Sequence, residues 1–260
     1  MSENVTGRVA GGHAAIDLSA FDAVIFDMDG VVTDTASVHA SAWKQLFDDY
    51  LSARAATLGE QFRPFDTGGD YLKYIDGKPR YEGVRDFLAS RGINLPHGDP
   101  SDPPGKETVA GLGNRKNGLF LDRMKQEAAK PYPSTVALVR VLAERNVKTA
   151  IISASRNMTQ VLESAGLSED LFDARVDGVV AGELGLAGKP DPAVFIEAAK
   201  RLGVEPARAV VVEDALAGVE AGRRGRFGLV VGVDRGDHAS ALRDAGADVV
   251  VSDLQELQIA

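Results

Sequence analysis

The feature that most constrains this chain is a series of short, largely apolar runs, several of which stop at polar or acidic residues. Ala23-Val24-Ile25-Phe26 leads into Asp27, Thr149-Ala150-Ile151-Ile152 into Ser153, and Ala209-Val210-Val211-Val212 into Glu213-Asp214. Leu229-Val230-Val231 and Asp248-Val249-Val250-Val251 repeat the pattern. Such runs are too short for helices and do not alternate apolar with polar, so they read as strands buried on both faces, the condition of a parallel sheet. Helical patterns lie between the later runs, at Ser134–Arg145, Met158–Ala165, Pro192–Leu202, Ala215–Ala221 and Ala239–Ala245. Strand and helix in alternation predict an α/β fold, a doubly wound parallel sheet.

Residues 36–128 break this rhythm. Helical patterns occur at Ser37–Leu51, Tyr81–Ser90 and Gly118–Ala128, without a buried-type strand, and Trp43, Tyr50, Phe62, Phe65, Tyr71, Tyr74, Tyr81 and Phe87 gather there. The reading is a second, mostly helical domain (36–128) inserted after the first strand of an α/β core (21–35 and 129–260), with residues 1–20 as a flexible leader. With 260 residues the chain has room for both cores. The absence of cysteine excludes disulfides, zinc–thiolate sites and a cysteine nucleophile. A net charge of −9 argues against nucleic acid as a partner. No apolar stretch is long enough for a membrane span and no secretory signal is visible, so a cytoplasmic protein without membrane contact is expected. The sequon Asn4-Val5-Thr6 then has no glycosylation route. Gly111-Leu112-Gly113 follows no strand, so it is not a dinucleotide fingerprint.

In an open parallel sheet, ligands collect beyond the carboxyl ends of the strands. There the chain places Asp27-Met28-Asp29-Gly30, Ser153-Ala154-Ser155-Arg156-Asn157 and Glu213-Asp214, with Gly188-Lys189-Pro190-Asp191 before a predicted helix. Each has an ordinary structural reading: turn formers, helix-start acids, a solvated lysine, a satisfied hydroxyl. Together they make a phosphate-and-metal site. A carboxylate with an ordinary pKa of about 4 is ionised at neutral pH, so Asp27 needs no base to act as a nucleophile. Its obstacle is the negative charge of a phosphate. Asp27 and Asp214, with Glu213 beside them, offer hard oxygens suited to Mg²⁺. Lys189 adds a point charge, Ser153 a hydrogen bond, and Asp29 is placed for general acid–base work.

Asp27-Met28-Asp29-Gly30-Val31-Val32-Thr33-Asp34-Thr35, Ser153, Lys189 and Glu213-Asp214 resemble, in order, the four motifs of the haloacid dehalogenase-like (HAD) phosphotransferase superfamily. The resemblance covers about residues 21 to 251. It implies a Rossmann-like core with an inserted helical cap, and an aspartyl-phosphate on Asp27 with Mg²⁺. Asp29 would be the acid/base, and Asp27, the Asp29 carbonyl and Asp214 the metal ligands, with Glu213 adjacent. The presence of Asp29 argues against the dehalogenase branch. Thr35, His39 and Trp43 after the first motif, and the Ser153–Asn157 loop, are similar to the β-phosphoglucomutase-like family, although Arg156 stands where a Lys is expected. Gly77-Lys78-Pro79-Arg80 and Arg115-Lys116-Asn117 resemble that family's cationic cap segments, the second read as a loop. A mutase must hold a bisphosphate in either orientation, so Arg80, Arg156 and Asn157 are expected around a second phosphate, with Lys116 facing the site. Ser155 is expected to cap the helix that follows.

The resemblance thus implies a monomeric enzyme acting on a sugar phosphate, interconverting β-D-glucose 1-phosphate and glucose 6-phosphate. A sugar-phosphate phosphatase is the alternative. A receiver-like signalling protein, which also uses a strand-end Asp, Mg²⁺ and a Lys, fits the inserted domain and the Asp27–Asp29 pair poorly. Bland roles stand beside the sharp ones: Trp43 as packing, Arg80 and Lys116 as surface charge. The stretches Ala53–Asp70 and Gly92–Leu112 exceed a compact cap.

Overall fold

The computed structural model describes residues 9–10, 13–16 and 18–259. The chain separates into two compact units. One runs to Asp34 and resumes at Lys130; the other spans Thr35–Ala129.

The inserted unit holds α1 (Ala36–Leu58), α2 (Gly69–Tyr74), α3 (Arg80–Ser90) and α4 (Val109–Gln126). Its core joins Trp43, Leu46, Phe47 and Leu51 of α1 to Phe65, Val84, Phe87, Leu88 and Leu112. Phe47 meets Phe65, Phe87 and Trp43 with ring centroids 4.2 to 5.3 Å apart, the offset and tilted contacts that aromatic quadrupoles favour. Helix α1 runs past its expected end at Leu51 because Ala55, one turn on, is buried on the same face. Helix α2 escaped the sequence reading because it opens on Gly68-Gly69. There Asp66, two residues before the N-cap Gly68, accepts from Gly68 N at 3.1 Å and Gly69 N at 2.8 Å.

Helix α4 begins at Val109, well before the expected Gly118. Thr108 caps it, its hydroxyl accepting from Gly111 N at 3.0 Å while donating to Asp102 at 2.7 Å. Residues 115–117, expected on a loop, are therefore helical. The glycines at 111 and 113 had hidden the helix by lowering its propensity; in the structure they admit close neighbours, and a Cβ on Gly111 would lie 2.3 Å from Lys106 O.

The other unit contains the strands β1 (Val9–Ala10), β2 (His13–Ile16), β3 (Ala23–Asp27), β4 (Lys148–Ile152), β5 (Ala174–Val176), β6 (Ala209–Glu213), β7 (Leu229–Val233), β8 (Val249–Val251) and β9 (Leu257–Ile259). Its helices are α5 (Pro133–Glu144), α6 (Met158–Ser164), α7 (Gly178–Leu184), α8 (Ala193–Leu202), α9 (Leu216–Arg224) and α10 (Ala239–Ala245). Strands β5-β4-β3-β6-β7-β8 form one parallel sheet in that order. Every residue of β3, β6 and β7 is buried, as their unbroken apolar runs require. Fully burying Ile25 and Phe26 contributes about 1.5–3 kcal/mol each. Helix α8 covers the sheet with Val194, Phe195, Ala198, Ala199 and Leu202, one helical face.

Neither β5 nor α7 carries a clear sequence signature. Edge strand β5 is three residues long and half exposed, so it lacks the apolar signature. Helix α7 is nucleated by Asp177, whose carboxylate accepts from Val179 N and Val180 N, both at 2.9 Å.

The segment expected as a flexible leader is partly structured. Strand β2 pairs in parallel with β9, Ala14 opposite Leu257, and β1 pairs antiparallel with β2. The rest of that segment, residues 1–8, 11–12 and 17, and with it the sequon, lies outside the described residues. Among the described residues no helix is long and apolar enough to cross a membrane.

Candidate active site

Strand register builds the site. Strand β3 lies between β4 and β6, with Asp27 opposite Ile152 and Phe26 opposite Val212. Asp27 closing β3, Ser153 just after β4, and Glu213 closing β6 with Asp214 next to it therefore emerge side by side at the carboxyl edge. The chain after Asp27 turns back sharply: Val32 N and Thr33 N both donate to Met28 O at 2.9 Å, and Gly30 N donates to Thr33 O at 2.8 Å. Gly30 takes φ +89°, and a Cβ there would lie 1.8 Å from Asp214 Oδ2. This turn thus needs glycine both for its backbone and for its contact.

Lys189 is buried at the centre. Its Nζ donates to Asp27 Oδ1 at 2.6 Å and also to Glu213 Oε1. The other oxygen of Glu213 accepts from Ala215 N at 2.8 Å, so this fully buried carboxylate is engaged at both ends. Ser153 donates to Asp29 Oδ2 at 3.0 Å while accepting from Ser155 N at 2.9 Å, which fixes its hydroxyl proton toward Asp29. Ser155 Oγ accepts from Asn157 N at 3.2 Å. It does not cap the helix as expected, because α6 starts at Met158 and Asn157 occupies the N-cap position without a side-chain cap bond. Asn157 is buried, Arg156 is exposed, and Ala154 packs its carbonyl against Gly178.

Burial pushes the Asp27 carboxyl well above its ordinary 3.8; Lys189 opposes the rise, and Glu213 and Asp29 add to it. For Lys189, burial favours the neutral amine, but Asp27 and Glu213 more than reverse this and hold the ammonium charged. Asp27, Asp29, Glu213 and Asp214 thus gather at one strand-end edge, with Lys189 bonded to two of them. Asp27, Glu213 and Asp214 can each bring one oxygen to within 4.8 Å of the others. Buried, hard, oxygen-only and electron-rich, this donor set fits a divalent cation such as Mg²⁺.

The remaining candidates lie in the inserted unit. Lys116 Nζ donates to His39 Nδ1 at 2.5 Å and sits 5.0 Å from the Trp43 ring centroid and 4.9 Å from that of Phe120. His39 stacks on Phe120 at 4.0 Å. Lys116 is only 4% exposed, so it is no ordinary surface lysine. Trp43 packs on Phe47 while also facing Lys116. Arg80 is held by Asn117, whose Oδ1 accepts from Nη2 at 2.7 Å. Thr35 is fully buried at the N-cap of α1, its carbonyl accepting from His39 N at 2.9 Å. The sequence reading missed Asn117 as the Arg80 partner. It also missed Gly218, whose Cβ would lie 1.8 Å from Glu213 Oε1. Helical spacing from 113 to 117 is the signal that could have exposed the first.

Comparison with known proteins shows the family and the fold. The family described as haloacid dehalogenase-like hydrolase matches residues 21–226. A β-phosphoglucomutase from Mycobacterium bovis is 48% identical over 90% of this chain and 90% of its own length. An uncharacterized glycosyl hydrolase from Mycobacterium tuberculosis is 41% identical over 97% of this chain, which spans 18% of that larger protein. The crystal structure of a Clostridium difficile β-phosphoglucomutase superimposes with a TM-score of 0.68 at 28% identity, covering 91% of this chain and 92% of the other. With its parallel sheet, strand-end acidic cluster and these relatives, the chain belongs to the haloacid dehalogenase-like superfamily, in its β-phosphoglucomutase-like family.

Proposed function

We propose that the chain is a β-phosphoglucomutase, interconverting β-D-glucose 1-phosphate and glucose 6-phosphate through an aspartyl-phosphate on Asp27 and β-glucose 1,6-bisphosphate. The observation that carries this reading is the 48% identity to a curated β-phosphoglucomutase across 90% of both chains.

Lys189 occupies Asp27 Oδ1, which leaves Oδ2 to form the bond to phosphorus. In the forward direction the phosphoryl group leaves Asp27 for the 6-hydroxyl of the substrate: the P–O bond to Asp27 breaks, the P–O6 bond forms, and the hydroxyl proton passes to Asp29. After the bisphosphate reorients, Asp27 attacks the 1-phosphoryl group, the P–O1 bond breaks, and Asp29 returns its proton to O1. Ser153 keeps Asp29 oriented for both transfers. Asp27, Asp214 and the Asp29 carbonyl would hold Mg²⁺, which when bound screens the repulsion between carboxylate and phosphate. Glu213 serves Lys189 as counter-ion, beside those ligands. Arg80, oriented by Asn117, would form a bidentate fork on the phosphate not being transferred, with Lys116 and His39 contributing to substrate binding. Trp43 and Thr35 would shape that part of the cap, and Arg156 and Asn157 the strand-end loop.

The test is product identity. With Mg²⁺ and a trace of bisphosphate, β-D-glucose 1-phosphate should yield glucose 6-phosphate. Free phosphate without glucose 6-phosphate would move the assignment to a sugar-phosphate phosphatase, the second reading, which the hydrolase description of the matching family favours. Arg80→Ala should damage the mutase reaction far more than hydrolysis of acetyl phosphate, and equal loss in both would remove Arg80 from the distal phosphate.

A further inference from the structure

We infer that Arg235, which lies beyond β7 and outside the four motifs, is a positioning residue that sets the Asp29–Gly30 turn and, through it, the Asp214 carboxylate. The inference rests on reading the strand-end cluster as a metal-dependent phosphotransfer site.

Arg235 Nε donates to Gly30 O at 2.8 Å, and Nη1 donates to Ser252 O at 3.0 Å. One guanidinium thus ties the turn after β3 to the turn after β8. Its flat face lies on Tyr132, 3.7 Å from the ring centroid, and Asp253 Oδ2 stands 4.0 Å from Nη1. Tyr132 is itself anchored, its N–H donating to Val32 O at 2.9 Å. The plane is therefore fixed by carbonyls at its edge and by a ring on its face, a task for the rigid fork of arginine and not for a lysine point charge.

What this fork holds is the wall of the candidate metal site. The carbonyl it grips belongs to Gly30, whose Cα is so near Asp214 that a Cβ would fall 1.8 Å from Oδ2. A shift of that peptide presses on or releases the Asp214 oxygen. The same turn carries Asp29, whose Oδ2 is held by Ser153. The loop that carries Arg235 also reaches Asp214 directly, with His238 Nε2 3.4 Å from Asp214 O. Groups that orient a metal ligand without touching the metal act on affinity through that orientation.

The test uses the full chain with Mn²⁺ as the probe, read by electron paramagnetic resonance of the free ion, alongside mutase kinetics at saturating Mg²⁺. Arg235→Ala should weaken Mn²⁺ binding by about 10-fold or more and lower kcat by roughly 10- to 100-fold. The KM for sugar phosphate should stay nearly unchanged. Arg235→Lys, which keeps the charge but not the fork, should also weaken Mn²⁺ binding, and it decides the matter if the alanine variant does not fold. Arg208→Ala removes an exposed pair with Asp22 at the opposite end of β3 and should leave Mn²⁺ affinity at the wild-type value. Wild-type affinity in the 235 variants, or equal weakening in Arg208→Ala, overturns the inference and leaves the site reading intact. A wild-type chain that binds no Mn²⁺ removes the metal reading itself, and the inference with it.

Discussion

Gly218→Ala adds a single methyl group, yet it should cost more than most surface substitutions. The added Cβ would lie 1.8 Å from Glu213 Oε1 and 2.0 Å from its Cδ, and Glu213 is fully buried. The carboxylate must move, and moving breaks its bonds from Lys189 and from Ala215 N. Hydrogen bonds to charged groups contribute about 1.5–3 kcal/mol each, so the loss is roughly 3–6 kcal/mol. Alanine returns about 1 kcal/mol of helix propensity in α9. The net expectation is a destabilisation of about 2–5 kcal/mol. Gly182→Ala is the control: it also sits in a helix, but nothing lies within 4 Å of its Cβ position. It should stabilise by up to about 1 kcal/mol. Urea unfolding followed by far-UV circular dichroism compares the two. Fluorescence of Trp43, the single tryptophan, follows the Thr35–Ala129 unit separately. A Gly218→Ala midpoint equal to or above that of Gly182→Ala, at unchanged m-value, would refute the claim that Gly218 fixes the counter-ion of Lys189.

Asp27→Asn should abolish mutase turnover and phosphoenzyme formation by mass spectrometry while leaving the fold intact, since the amide oxygen can still accept from Lys189; measurable mutase activity would sink the nucleophile assignment. Lys116→Met should leave the inserted unit folded within about 1–2 kcal/mol, because the lost cation–π contacts with Trp43 and Phe120 are partly replaced by apolar packing. Trp43 emission should shift in that variant, and an unchanged spectrum would contradict the contact. The Asp102 carboxyl is held below its ordinary 3.8 first by Lys106, then by Thr108. A depressed folded pKa gives stability that is present above about 3.8 and lost as pH falls through the folded value. Asp102→Asn should therefore flatten the acid limb of stability below about pH 4, and an unchanged slope there would show that the contacts contribute nothing.

The sequence by itself determined the sheet and the strand-end chemistry. Unbroken apolar runs such as Ala23–Phe26 have a single stable fate, burial between helices, and the residue after each run must then surface at the carboxyl edge. That is why Asp27, Ser153 and Glu213-Asp214 could be named as one cluster without coordinates. Short or glycine-marked elements were not legible: β5 is half exposed, α2 opens on two glycines, and the early turns of α4 carry Gly111 and Gly113. Each is stabilised by partners distant in sequence or by a cap, not by its own composition. The tertiary structure alone decided which partner each group takes. Lys189 lies 162 positions from Asp27, and Arg235 lies 205 positions from the carbonyl it grips. It gave both oxygens of Glu213 to Lys189 and Ala215, and it placed Lys116 on a buried helical face against His39. Local sequence encodes which faces must leave water. Pairings at a converged edge depend on strand order and on contacts of ångström scale, and those exist only once the sheet has assembled.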